Sequence, residues 1–234
     1  MTKKQALDFL RSHQPMPNLD ELSEDEFQGV MKEWAQACEY FTKHPNLDTI
    51  PLFLGSFGEG DDAEVYQLFQ DVVQATVELD VDAVARHMID ALSPSSPLPT
   101  RVHAAEVCGD VLSKDPTFHE TLLSIIENDD EDEDVRSFCA AAFSIIGQEG
   151  CFDVDAYRNR VEAVLQEEDD EDISMFLSDL LGDDYDEDDY DEDDYDEDGD
   201  CDEDGDCDED DDYDDDDDYD EEETSNKDKK SKKK

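Results

Sequence analysis

Carboxylates are the chemically active groups that dominate this chain. Of 234 residues, 73 are Asp or Glu against 17 Lys or Arg. What such a density supplies is attraction, whether of metal ions, of counterions or of a basic partner. Within residues 1–182 the acids gather in three runs, at Asp61-Asp62, from Asp129 to Asp134, and from Glu167 to Asp172. Groups suited to covalent catalysis are sparse by comparison. The histidines at 13, 44, 87, 103 and 119 show no HExxH spacing, and the chain has no GxSxG, phosphate-binding loop or dinucleotide fingerprint. His87 and His103, with Arg86 and Arg101, are the one set that neighbouring helices could gather into a polar spot. The pattern predicts a non-enzyme that needs no cofactor.

A metal site finds its best imitation near the C-terminus, where Asp200, Asp202, Asp204 and Gly205 match the first positions of a calcium-binding EF-hand loop. The match then fails. Position twelve is Asp211 instead of a bidentate Glu, position eight is Cys207 instead of an aliphatic residue, and neither flank can form a helix. Such carboxylates hold divalent ions diffusely, so no dedicated metal site is expected. The six cysteines show neither CxxC nor Cys/His metal spacing, and several fall in apolar helical patterns, which fits reduced thiols in a cytosol.

The charge divides the chain into three parts. Residues 1–182 carry 40 acidic and 11 basic side chains, a net charge of −29, and nearly all the aliphatic residues. Residues 183–223 hold 32 acids among 41 positions and no aliphatic residue, and begin with the repeated phrase DDYDEDDYDEDDYDE. That composition cannot bury enough apolar surface to offset roughly 1–2 kcal/mol of backbone entropy per residue, so a disordered acidic tail is expected. In it, Tyr185, Tyr190 and Tyr195 are candidate sticking points for a partner. Residues 224–234 form a lysine-rich end. No run approaches the roughly 18–20 apolar residues of a membrane span. The stretch QALDFLRSHQ is too polar for a secretory leader, which predicts a cytoplasmic protein.

Residues 1–182 read as helices throughout, because apolar residues recur at three and four positions and never in alternation. Ser23-Glu24-Asp25-Glu26 forms a capping box that opens a helix running to about Lys43. Asp115-Pro116 gives a cap followed by proline at the first helical position. Further helices are expected over 3–12, 63–78, 81–92, 100–113, 134–147, 153–166 and 172–181, with a short apolar one in LDTIPLFLGSF. An acidic turn followed by a β-branched helix start occurs at GDDAEV, DEDEDV and EDDEDI. Val65, Val135 and Ile173 mark these starts, and an intermediate unit beginning near 98–102 gives a period of roughly 35 to 38 residues, that of a two-helix repeat.

Asp134-Val135-Arg136, Ala140-Ala141-Ala142 and Ile145-Ile146-Gly147 resemble the second helix of a HEAT-like repeat, echoed by Arg101-Val102-His103-Ala104-Ala105. The resemblance implies an all-α, HEAT-like α-solenoid over 1–182, whose equivalent turns would align the three acidic runs into one ridge. A compact helical bundle is the alternative arrangement. A narrower resemblance lies in residues 53–92. There an apolar helix at Leu52 to Phe57, an acidic loop at Gly58 to Asp62, a helix start at Glu64-Val65 and an acidic break at Glu78 to Asp82 are similar to bacterial immunity proteins of polymorphic and contact-dependent toxins.

That likeness implies stoichiometric neutralisation of a cognate toxin domain, whose active surface the immunity protein covers. A surface at −29 repels nucleic acid and favours a basic protein partner. The candidate contacts are Asp61, Asp62, Asp129, Asp130, Glu131, Asp132, Asp134, Glu168, Asp169 and Asp170. The rival reading is an acidic scaffold or chaperone for basic proteins, in which the tail does the binding.

Overall fold

Helix boundaries in this domain follow from local hydrogen bonding that the sequence already announces. The structure is a computed structural model that describes residues 1–58 and 63–182. Thr2 and Gln5 form a reciprocal box that opens α1 (Lys3–Ser12), with the Gln5 amide N–H donating to the Thr2 hydroxyl at 3.4 Å and the Thr2 N–H donating to Gln5 Oε1 at 2.9 Å. The Ser23 N–H donates to the Glu26 carboxylate at 3.1 Å at the start of α2 (Glu24–Lys43), and bonding to Ser23 holds the Glu26 carboxyl below the usual range. Eight more helices follow, named α3 (Ile50–Leu54), α4 (Ala63–Val77), α5 (Val81–Ala91), α6 (Leu98–Val107), α7 (Pro116–Ile126), α8 (Glu133–Gln148), α9 (Arg158–Glu167) and α10 (Glu171–Leu181). Among the described residues there is no strand. No helix among them is long and apolar enough to cross a membrane.

Two helices differ from the sequence expectation. α6 begins two residues early, because Pro99 sits in its first turn, where the missing N–H costs nothing. It stops at Val107, and the chain tightens into a 3₁₀ turn at Cys108–Asp110. The region opening at Asp153 likewise starts as a 3₁₀ turn over Val154–Ala156, capped by the Asp153 side chain, before α9 begins at Arg158. The other caps match their residues. Asp80, Asp115, Asp132 and Asp170 open α5, α7, α8 and α10, and Gly182 closes α10 in the left-handed conformation at φ 69°.

Packing reveals a shared register in α4, α6, α8 and α10. Counting from a reference residue near each helix start, positions 0, +4, +7 and +8 are buried in all four. These are Val65, Phe69, Val72 and Val73 in α4, and Thr100, Ala104, Val107 and Cys108 in α6 and the turn that follows it. In α8 they are Val135, Cys139, Ala142 and Phe143, and in α10 Ile173, Leu177, Leu180 and Leu181. The reference residues stand 35, 35 and 38 positions apart. The Thr100 hydroxyl donates to the Leu54 carbonyl at 3.2 Å. These helices contact in sequence, α4 with α6, α6 with α8 and α8 with α10, while α5, α7 and α9 pack against α6, α8 and α10.

The core is continuous, and it has an aromatic nucleus near each end. Trp34 meets Phe53 and Phe57 edge-on at 5.3 and 5.8 Å, and Phe69 lies 5.7 Å from Phe53 and 5.3 Å from Phe57. The indole N–H donates to the Val65 carbonyl at 3.2 Å, so α2, α3 and α4 share one anchor. Toward the other end, Phe143, Phe152 and Tyr157 form a second nucleus with centroid distances of 4.7 to 5.5 Å. His119 joins it, and because a carbonyl only accepts, its Nε2 carries the proton donated to the Ser113 oxygen at 2.8 Å.

Trp34 is fully buried, so Trp34→Ala should lower unfolding stability by about 3–5 kcal/mol, whereas Trp34→Phe should cost less than half as much. Urea denaturation followed by circular dichroism measures both. Equal losses for the two variants would show that the ring packing is not what matters.

Candidate functional site

The acidic turns are held in place by arginines that point inward. Arg136, the fourth residue of α8, donates from Nε and an Nη to the Ile126 carbonyl at 3.2 and 3.0 Å, which closes the α7–α8 turn. The same guanidinium reaches Glu168 in the next acidic turn at 2.5 Å and lies 3.7 Å from Asp129. Arg101, the fourth residue of α6, makes the equivalent ion pair with Glu131. Each arginine therefore grips the acidic turn one unit further along the chain. Arg160 in α9 adds a two-pronged contact to Glu127, at 2.7 and 2.6 Å, and a bond to Glu120 at 2.7 Å. Those carboxylates raise the Arg160 pKa.

This arrangement sorts the sequence candidates into three groups. Glu131 and Glu168 have side chains only 7% and 6% exposed, so the fold uses them as internal partners of Arg101 and Arg136 and turns them away from the surface. A carboxylate so buried is strongly destabilising when its cation is removed. Asp132 and Asp170 are helix caps. Asp132 accepts from the Val135 N–H at 3.5 Å, and Asp170 accepts from the N–H groups of Asp172 and Ile173 at 2.9 and 3.0 Å. Asp129, Asp130, Asp134 and Asp169 are exposed, and Arg136 brings their two turns side by side. Asp61 and Asp62 lie outside the described residues, as do the acidic tail at 183–223 and the lysine-rich end at 224–234.

Sequence reasoning passed over Glu133, Glu167, Glu171 and Asp172, which are also exposed on these turns. Their signal was the continuity of the acidic runs. The turn before α6 breaks the series, because Ser93, Ser95 and Ser96 stand there with no carboxylate. The edge described by α8 and α10 is therefore acidic over two consecutive turns.

Phe57 lies between the settings of the suspected histidine pair, since His103 stacks on it and it lines the cavity that His87 also lines. His103 stacks on Phe57 at 4.1 Å and lies 3.2 Å from Glu106, on the face where Gln70 donates to Asp110 at 2.8 Å. His87 lines a cavity of about 680 Å³ bounded by the 14–18 loop, α3, α5 and the start of α6. That cavity had no signature in the sequence beyond the prolines at 15, 51, 97 and 99 that line it. Among the described residues no cluster of three or more His, Cys, Asp or Glu side chains is arranged to hold a metal ion. Burial pushes the thiols of Cys38, Cys108 and Cys139 well up, which suits them to packing and not to nucleophilic attack.

No protein-family model matches the chain, and no curated protein matches it significantly.

Arg136 is 12% exposed beside a nearly buried Glu168. Arg136→Ala should cost about 3–5 kcal/mol, because it leaves that carboxylate without its cation, and Arg136→Met combined with Glu168→Leu should recover most of the loss. Thermal unfolding by calorimetry tests this. A double variant no more stable than Arg136→Ala would mean that Arg136 acts through its carbonyl contacts alone.

Proposed function

We propose that the chain is a non-enzymatic binding protein for a basic protein partner, and that the partner is a toxin domain which it neutralises as an immunity protein. The observation that carries the reading is the double acidic turn. Asp129, Asp130, Asp134 and Asp169 are exposed, while the arginines around them are engaged with carboxylates of the fold itself. Such an edge steers a cationic surface into encounter and repels an anionic one.

A HEAT-like α-solenoid is the arrangement we propose for the helices. The common register of α4, α6, α8 and α10 supports it, as do the repeated fourth-position arginines, Arg101 and Arg136. In such a stack equivalent turns lie along one edge, and a partner can be covered over a long surface. Neutralisation is then stoichiometric, with the edge laid over the toxin's basic active surface. The likeness of residues 53–92 to immunity proteins of polymorphic toxins supports the same partner.

Charge in the tail favours a second reading, a chaperone for basic proteins, because 32 of the 41 residues at 183–223 are acidic. An adjacent gene for a basic toxin domain favours immunity, and the two are separated by binding of the full chain, and of a chain ending at residue 182, to such a domain. Immunity by the domain predicts near-equal dissociation rates, with slower association for the shortened chain at low salt. Loss of the complex on removing the tail, with helicity intact, would favour the chaperone.

Asp130, Asp134 and Asp169 changed together to Asn should slow association with the toxin domain about three- to tenfold at low ionic strength, with little change in dissociation. Stopped-flow mixing across a salt series measures this. An association rate equal to that of the unaltered chain at the lowest salt would place the partner elsewhere.

A further inference from the structure

The 680 Å³ cavity is not part of the acidic edge, yet its chemistry selects the same sign of ligand. Its volume falls within the usual range of binding pockets, about 300–1,000 Å³. Pro15, Met16, Pro51, Leu54, Phe57 and Ala91 give it apolar walls from three segments of the chain. The walls are braced without a ligand. The Met16 N–H donates to the Ser56 carbonyl at 2.8 Å, and the Gln14 amide donates to the Leu10 carbonyl and the Ser56 hydroxyl at 3.0 and 2.9 Å.

The donor inventory is what narrows the ligand. Proline has no N–H to offer, and four prolines line the site. The Gln14 amide hydrogens are already given to the fold, and the Thr100 hydroxyl is given to the Leu54 carbonyl. No Lys or Arg lines the cavity. Asp90, exposed on α5, does line it, and it makes no ion pair among the described residues. An anionic ligand would meet the Asp90 carboxylate and, beyond Gln14 and Thr100, only the Asn18 amide and the His87 ring as side-chain donors. A ligand with an apolar body and a cationic end would fill the walls and pair with Asp90.

We infer that the cavity seats an extended segment of the basic partner that carries bulky apolar residues beside a Lys or Arg. The apolar residues enter between Pro51, Leu54 and Phe57, and the basic residue lies against Asp90. This rests on the basic-partner reading above and adds to it a second, shape-selective contact. The acidic edge gathers cationic surfaces in general, whereas the cavity distinguishes among them by the apolar residues they carry.

The test uses the full chain and three capped tetrapeptides, Phe-Leu-Lys-Arg, Gly-Ser-Lys-Arg and Phe-Leu-Glu-Asp, with binding measured by calorimetry. Phe-Leu-Lys-Arg should bind at least about tenfold tighter than either of the others. Asp90→Lys, at an exposed position, should remove that advantage and favour Phe-Leu-Glu-Asp. Ala91→Trp, which intrudes into the cavity, should weaken both Phe-Leu peptides provided its helicity matches the unaltered chain. Equal affinity for Gly-Ser-Lys-Arg would overturn the proposal, since unselective charge attraction would then suffice. So would binding that survives Asp90→Lys but is lost in the Asp130, Asp134 and Asp169 triple variant, which would put the peptide on the acidic edge. If the peptide pattern holds and the toxin domain fails to bind the full chain, the cavity stands and the immunity reading falls.

Discussion

Everything in this domain depends on burying the same four positions in each of α4, α6, α8 and α10. Positions 0, +4, +7 and +8 make a narrow apolar stripe on one helix face, and a helix with such a stripe is stable in water only when a neighbour covers it. Each of these helices covers the next, so the stripe continues through the core. The size of the residues adapts along the series, from Val65 and Phe69 through the small Thr100 and Ala104 to Ile173 and Leu177. Small residues at Thr100, Ala104 and Ala105 leave room for Leu54 and the end of α3 to approach α6, an approach sealed by the bond from Thr100 to the Leu54 carbonyl.

The arginine pairs settle the turns once the stripe has settled the helices. Arg101 and Arg136 occupy the same place in their helices and each engages a glutamate 30 or 32 residues on. A buried ion pair is weak evidence for stability compared with an apolar contact, but it penalises any register that leaves its carboxylate unpartnered. The pairs thereby fix which turn lies beside which. The exposed aspartates inherit their spacing from that choice, and of them Asp129 alone, among the described residues, makes an ion pair with these two arginines.

Much of the helical framework was legible in the sequence because caps are local. Ser23 with Glu26, Asp115 with Pro116, and the aspartates before α8 and α10 act through atoms a few residues away, so the order of residue types is enough to read them. α6 starts two residues before the helix expected from residue 100, because a first turn accommodates proline, and the 3₁₀ turn at Val154–Ala156 falls where helix was expected. The acidic runs were visible too, but their division was not. Nothing in a run of carboxylates tells Glu131 and Glu168 from Asp130 and Asp169, because the difference lies in whether a distant arginine sits behind them. The cavity was hidden for the same reason, since its walls come from segments between residues 14 and 100 that meet only after folding.

The placement of the aromatic residues gives the domain two built-in reporters. Trp34, the one tryptophan of the chain, belongs to the nucleus shared by α2, α3 and α4, while Phe143, Phe152 and Tyr157 form the nucleus near α8 and α9. Indole fluorescence therefore watches only the first half, and the far nucleus contributes to near-ultraviolet dichroism from the second. In a chain whose helices mostly touch those one or two places along the sequence, these two signals separate when cooperativity weakens. The distance between their midpoints is then an optical measure of how firmly one end of the core is coupled to the other.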